Sequence, residues 1–252
     1  MNSDCLELYL PLTCRVSDDV LQAIQRLNHD LIIDLRKENG IGIRVTDDLS
    51  EQKYIELRFP EGFIPAENFE ELTSNRDKLY FEQKGETIFI KMGTIYTIGL
   101  ITMAIGASLY MWAKKNKTGR VLPENSTYQL SDSKTGKTEI RMADISYISY
   151  GKASESEQKK WGKNCPIAPT LSIEIVSSKY GLKPALWKMQ YVWMQFGTDI
   201  GVVVCPFSKK LYIFEKGKSN HIEQSIYHKF THTLLPDYEG DFSEYVDEIS
   251  ES

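Results

Sequence analysis

Leu171-Ser172-Ile173-Glu174-Ile175-Val176 is an apolar run of strand length with a glutamate as its fourth residue. Apolar residues at helical spacing follow over about residues 183–196, closed by Gly197, and then a second apolar run, Gly201-Val202-Val203-Val204-Cys205. Runs this short and this rich in β-branched residues predict buried strands, and a glycine just past the last periodic residue ends a helix. Strand, helix, strand in that order predicts a right-handed crossover between neighbouring strands. The fold class is therefore mixed α/β, a mixed sheet flanked by helices. Working outward, the sequence predicts further strands at residues 120–122, 126–130, 211–214 and, as one continuous element, 140–148. Residues 151–169 read as a loop with one helical turn near Ser154–Glu157.

The first third of the chain is less informative. Ser17 can cap a helix carrying Val20, Ile24, Leu27 and Leu31 at helical spacing. Short strands are expected at 31–35 and 54–57. Residues 1–63 read as an N-terminal extension whose chemistry the sequence does not name. A second helix is predicted over residues 65–75, with Pro65 at its first position, followed by a hairpin at 79–90 that turns at Lys84-Gly85. Residues 92–113 then contain no charged side chain, which is about the length of a membrane span. A helix buried on nearly every face of a soluble core looks the same in sequence. Thr94, Tyr96, Thr97, Thr102, Ser108 and three glycines favour the core reading, so no membrane partner is expected.

Composition excludes the disordered and fibrous classes, with 41% hydrophobic and 26% charged residues. The net charge of −5 hides a strong asymmetry. Residues 1–75 hold 7 Lys/Arg and 15 Asp/Glu, residues 76–235 hold 23 and 13, and residues 236–252 hold none and 7. A basic middle between acidic flanks can meet a polyanion, or its lysines can simply solvate loops. The acidic end, 236–252, is poor in apolar residues and reads as partly mobile. Cys5, Cys14, Cys165 and Cys205 show no metal-ligand spacing and read as reduced thiols of a cytoplasmic protein.

Three polar residues sit where burial makes them costly. Asp144 begins Asp144-Ile145-Ser146-Tyr147-Ile148, Glu174 lies between Ile173 and Ile175, and Lys188 lies between Trp187 and Met189 on the predicted helix. Buried charges are normally paired or bound to metal. Two carboxylates and a lysine meeting on one side of a sheet could hold a divalent cation and stabilise charge on a phosphate. The competing reading leaves Glu174 facing solvent and Lys188 snorkelling along the helix. His228 and His232, four apart, would share a face if helical and could bind metal; a surface pair is the simpler reading. Trp161, Trp187 and Trp193 could stack on bases or fill the core.

Residues 64–248 resemble the Uma-type family of restriction-endonuclease-like proteins, within the PD-(D/E)XK nuclease superfamily. The resemblance rests on stretches in one shared order: Pro65-Ala66-Glu67-Asn68-Phe69; Tyr80-Phe81-Glu82 with Gly85-Glu86-Thr87-Ile88-Phe89-Ile90; Gly119-Arg120-Val121 with Ser126-Thr127-Tyr128-Gln129-Leu130; Met142-Ala143-Asp144-Ile145-Ser146; Pro169-Thr170-Leu171-Ser172-Ile173-Glu174; Leu182-Lys183 to Lys188-Met189-Gln190; and Gly197 to Pro206. It implies a nuclease-like domain over residues 64–235, followed by the acidic segment 236–252. It also implies that Asp144 and Glu174 bind Mg²⁺ or Mn²⁺, with the Ile175 carbonyl as a further ligand. Lys188 would orient the attacking water or counter charge on the scissile phosphate. The implied activity is metal-dependent endonucleolytic hydrolysis of a nucleic acid, DNA favoured over RNA, and a homodimer would suit cutting of both strands. The sequence departs from the family pattern where acids are usual, at Thr97, Thr170, Cys205 and around Gln190-Tyr191. A catalytically weakened nuclease fold that binds nucleic acid or protein is therefore the alternative.

Overall fold

In the computed structural model the described residues are 6–11, 17–29, 31–36, 40–45, 54–62, 80–91, 96–131, 138–178 and 181–249. The helix expected over residues 65–75, together with Cys5 and Cys14, lies outside them. The chain divides into two units, Met1–Gly93 and Thr94–Ser252.

In the first unit, strand β1 (Leu6–Pro11) precedes helix α1 (Asp18–Leu27), whose Ser17 hydroxyl accepts from the Val20 N–H as the sequence suggests. Strands β2 (Ile32–Arg36) and β3 (Gly40–Val45) join β1 in the antiparallel order β1-β3-β2. Strand β4 (Tyr54–Arg58) pairs with β6 (Thr87–Lys91), and β6 with β5 (Tyr80–Lys84) across the expected hairpin. Buried Asn28 at the end of α1 donates to the Ile24 and Arg58 carbonyls and accepts from the Arg58 N–H. A polar residue buried in this way is affordable because its amide is satisfied.

The second unit opens with helix α2 (Tyr96–Asn116) and strand β7 (Gly119–Pro123). The hairpin β8 (Thr127–Ser131) and β9 (Thr138–Met142) follows, then β10 (Ile145–Ser149). Helix α3 (Glu155–Gln158) is the single turn expected in the 151–169 loop; Ser154 and Glu157 close a reciprocal capping box on it. Strand β11 (Leu171–Ile175) leads into helix α4 (Leu182–Lys188), which continues as a π-helix, Met189–Met194. Gly197, at φ +98°, provides the left-handed turn that releases the chain into β12 (Ile200–Cys205). Strands β13 (Lys210–Glu215), β14 (Ile222–Ser225), β15 (Phe230–His232) and β16 (Leu235–Gly240) complete the unit.

The main sheet has the order β14-β13-β12-β11-β10-β7, with β11 and β12 parallel and the other pairs antiparallel. The class is thus mixed α/β, as the β11–helix–β12 order predicts. Alternation sorts the side chains onto two faces. Ile145, Tyr147, Leu171, Ile173, Ile175, Val202 and Val204 pack in a core with α2. Ile148, Val176, Val203 and Cys205 pack on the other side with Tyr128 and the helical segment 182–194.

Three expectations are corrected. Residues 140–148 are two strands, because β9 pairs with β8 while β10 pairs with β7 and β11, and the chain breaks at Ala143-Asp144 between them. Helix α2 is not buried on nearly every face. It is long and apolar enough to cross a membrane, yet it buries a single stripe, Ile98, Ile101, Ile105, Leu109, Trp112 and Ala113, and exposes its far side. The acidic end is no loose tail through residue 249, because Tyr238, Phe242 and Val246 are buried in the core that α2 caps.

Gly119 tests how tightly the sheet edge is packed. A Cβ there would collide with the Ile148 carbonyl and come within 2.8 Å of the Ser149 Cα, both backbone atoms that cannot swing away. Gly119→Ala is expected to lower stability by about 2 kcal/mol, measured as a shift of the urea midpoint with unchanged slope; an unshifted midpoint would show that the edge strand gives way freely.

Candidate active site

Antiparallel register brings the two acids together. β10 and β11 pair Ile145 with Ile173, so one step further Asp144 stands opposite Glu174. Residues directly opposite in an antiparallel pair project to the same face, with Cβ atoms about 5 Å apart. Both are buried, Asp144 at 5% and Glu174 at 1% exposure. Asp144 immediately precedes β10, and its Oδ2 accepts from the Ile175 N–H at 2.7 Å. Ile175, named from the resemblance as a carbonyl ligand, thus anchors Asp144 through its amide.

The third residue comes from the helical segment. Lys188 ends α4, and its Nζ lies 3.1 Å from Glu174 Oε1 and donates to the Met142 carbonyl at 2.8 Å. Glu174 Oε1 also accepts from Trp193 Nε1 at 2.8 Å. Lys188 and Trp193 stand five residues apart, and the π-helix that begins at Met189 widens the turn so that both reach one carboxylate oxygen. The ammonium sits 5.9 Å from the Trp193 ring centroid. Tyr128 meets that indole edge-on at 5.3 Å and donates to Ser146 Oγ at 2.6 Å. Burial raises the Tyr128 phenol pKa far above its usual value, so the group stays a neutral donor.

The structure therefore brings Asp144, Glu174 and Lys188 together on one sheet face, and the solvent-facing alternative for Glu174 is excluded. Trp193 and the Met142 carbonyl complete the arrangement without having been singled out for it. A tryptophan five residues after a lysine gives no sequence signal for such a role, since ordinary helical spacing places those positions on different faces. Trp187 is exposed and tilts against Tyr191 at 5.6 Å, while Trp161 is partly buried against the core. His228 and His232 are not helical. His232 lies in β15, and its Nδ1 accepts from the Leu234 N–H.

The departures from the family pattern separate by location. Thr170 lies four residues from Glu174, about 13 Å away along β11. There its hydroxyl accepts from the Ser149 N–H at 3.0 Å and bonds Ser149 Oγ at 3.1 Å. Thr97 belongs to α2, which packs on the opposite sheet face. Among these three positions, Cys205 alone shares the face and end of the sheet that hold Glu174.

The donor set suits a hard divalent ion. Among the described residues no three or more His, Cys, Asp or Glu cluster as a metal site. Mg²⁺ does not require such a cluster, since it commonly takes one or two carboxylates and fills its octahedron with water and phosphate oxygens. Asp144 and Glu174 would hold it, and carboxylate oxygens match Mg²⁺ and Mn²⁺ in hardness.

A mixed sheet with these groups on one face defines the class as restriction-endonuclease-like. The chain belongs to the Uma2 family, described as "Putative restriction endonuclease", whose model matches residues 66–243. A crystal structure described as a "putative nuclease" from Anabaena variabilis superposes with TM-score 0.59 at 15% identity, covering 73% of this chain and 99% of that one. At that identity the likeness shows the fold alone. No curated protein matches the chain.

The Glu174–Lys188 pair is accessible to a stability cycle. Lys188→Met is expected to cost roughly 3 kcal/mol, because it strands a buried carboxylate. Combined with Glu174→Gln, the loss should fall short of the summed single losses by about 1–2 kcal/mol. Urea unfolding of the four proteins measures this, and strictly additive losses would show the two side chains to be uncoupled.

Proposed function

We propose that this protein is a metal-dependent endonuclease that hydrolyses phosphodiester bonds in DNA, with Asp144 and Glu174 holding Mg²⁺ or Mn²⁺ and Lys188 as the cationic group of the site. The observation that carries this reading is the meeting of two buried carboxylates and an ammonium on one sheet face, in a chain of a family described as restriction endonucleases. The charge balance of residues 76–235, 23 Lys/Arg against 13 Asp/Glu, supports a polyanionic substrate.

Each side chain has a distinct task on this reading. Asp144, fixed by the Ile175 amide, presents a carboxylate of set orientation. Glu174 has one oxygen held by Lys188 and Trp193, which prevents the carboxylate from turning. Lys188, paired with that carboxylate, counters negative charge building on the scissile phosphate and orients a water for attack. A divalent ion bound there supplies Lewis acidity and lowers the pKa of a water. The Trp193 indole and the side chains around it exclude bulk solvent from one side of the site, which strengthens each of these electrostatic effects.

Supercoiled plasmid incubated with Mg²⁺ or Mn²⁺ should be nicked or linearised by the native protein. Asp144→Ala and Lys188→Ala should each reduce the rate by about 10²-fold or more. Equal cutting by all three proteins would place the activity elsewhere. Calorimetric titration with Mn²⁺ should show binding that Glu174→Ala removes; metal binding without cutting would instead identify a nuclease fold reduced to a binding module.

A further inference from the structure

The outer face of α2 is built unlike the outside of a soluble helix. Tyr96, Leu100, Met103, Ala107, Tyr110 and Lys114 recur at alternating spacings of four and three, the seam of a two-helix contact. They lie opposite the buried stripe, with Tyr96 at 79%, Met103 at 70% and Tyr110 at 49% exposure. No charged residue occurs in the helix before Lys114. A helix with one face on a sheet and the other in water normally carries charges outside, so this face is made to be covered.

Charge at the two ends of the helix identifies what covers it. Lys114, Lys115 and Lys117 are exposed at its C-terminal end. The C-terminal segment of the chain runs back beside α2. Trp112 Nε1 donates to the Pro236 carbonyl at 2.9 Å, the Tyr238 ring lies 5.4 Å from that of Trp112, and Val246 joins the same core. Tyr245 and Ile249 pack against the core that Ile98 and Ile101 of α2 join, with Glu244 and Glu248 exposed beside them, and the Tyr245 phenol feels Glu244 first, then Glu248 and Tyr96, the first residue of the helix. Asp247 is engaged by Lys209 and Tyr227, and Asp241 by Lys229, so Glu244 and Glu248 are the acids presented there. One end of the seam is basic and the other acidic. An antiparallel second copy matches each end with its opposite, whereas a parallel copy opposes like charges.

We propose that α2 is the homodimer interface of this protein, two copies packing antiparallel about a two-fold axis near residue 105, with Met103 of one against Ala107 of the other and the Lys114–Lys115 end of each beside Glu244 and Glu248 of its partner. The axis follows from the seam, whose members pair symmetrically about its midpoint. Helix α2 and the Asp144–Glu174 site occupy opposite faces of the sheet, so both sites remain open in this dimer. The dimer does not depend on the nuclease reading.

Light scattering of the full chain should give twice 28.9 kDa, and Met103→Glu should give the single-chain mass with unchanged far-ultraviolet circular dichroism. With a short bismaleimide, Met103→Cys should cross-link above the native background, since its two copies lie about 6 Å apart along the axis. Tyr96→Cys should not, with its copies about 27 Å apart. If Met103→Glu does not fold, Lys114→Glu/Lys115→Glu provides an independent test. It should weaken the dimer about tenfold or more, and adding Glu244→Lys/Glu248→Lys should restore it. A native protein that is monomeric at tens of micromolar overturns the proposal. So does a dimer that survives both sets of substitutions, cross-linking at position 96 but not 103, or flotation of a monomer with phosphatidylcholine vesicles, which would assign the face to lipid.

Discussion

A glutamate in the middle of an apolar strand, 1% exposed, is the constraint around which the second unit is arranged. Removing an ionised carboxylate from water costs several kcal/mol even after the protein relaxes, and the cost is recovered only when its oxygens meet charged or strongly polar donors. Three elements converge for that purpose. The end of α4 brings an ammonium, the π-helix turns an indole N–H to the same oxygen, and the Met142 carbonyl before the break steadies the ammonium from its other side. Stability alone would be served as well by a leucine at position 174. That the chain carries the cost is the strongest structural sign that the group has a task.

The two faces of the main sheet divide the work. Toward α2 the strands present an unbroken apolar surface, as a parallel pair buried on both sides should. Toward the 182–194 segment they present Ser146 and Glu174 among valines, with Ser146 tied to Tyr128 and Glu174 to Trp193 and Lys188. A network of this kind is satisfied in a low-dielectric surround, where hydrogen bonds are both stronger and more exacting. The rigidity needed to hold two carboxylates at a set distance comes from this side, and the bulk of the burial comes from the other.

How much was legible in the sequence follows from how local each signal is. β11, β12, the helix between them and its closing Gly197 are written in short-range periodicity and were readable with nearly the observed bounds. The fold class was readable with them, whereas Asp144, Glu174 and Lys188 were assigned roles through the family resemblance. The break at Ala143-Asp144 was not, because residues 140–148 alternate well enough for one strand and only the pairing partners, distant in sequence, divide them. The π-helix leaves no mark in composition, so Trp193 could not be connected to Glu174 beforehand. The C-terminal strands were hidden by their acidity. Tyr238, Phe242 and Val246 are few, but each is spent on the core that α2 caps.

The positions where acids were missed bear directly on whether the site is complete. Thr170 serves at the far end of β11, where its hydroxyl does the two-bond work on Ser149 that an aspartate side chain could also do. Its substitution is a structural exchange and subtracts nothing from the charge near Glu174. Thr97 lies on a helix of the other face. Of these three, Cys205, whose place beside Val176 is shared with buried apolar neighbours, is the one on the face and at the end of the sheet that hold Glu174. Without an acid at position 205, Asp144 and Glu174 are the carboxylates on that face that would hold a divalent ion, with water and phosphate oxygens completing its shell.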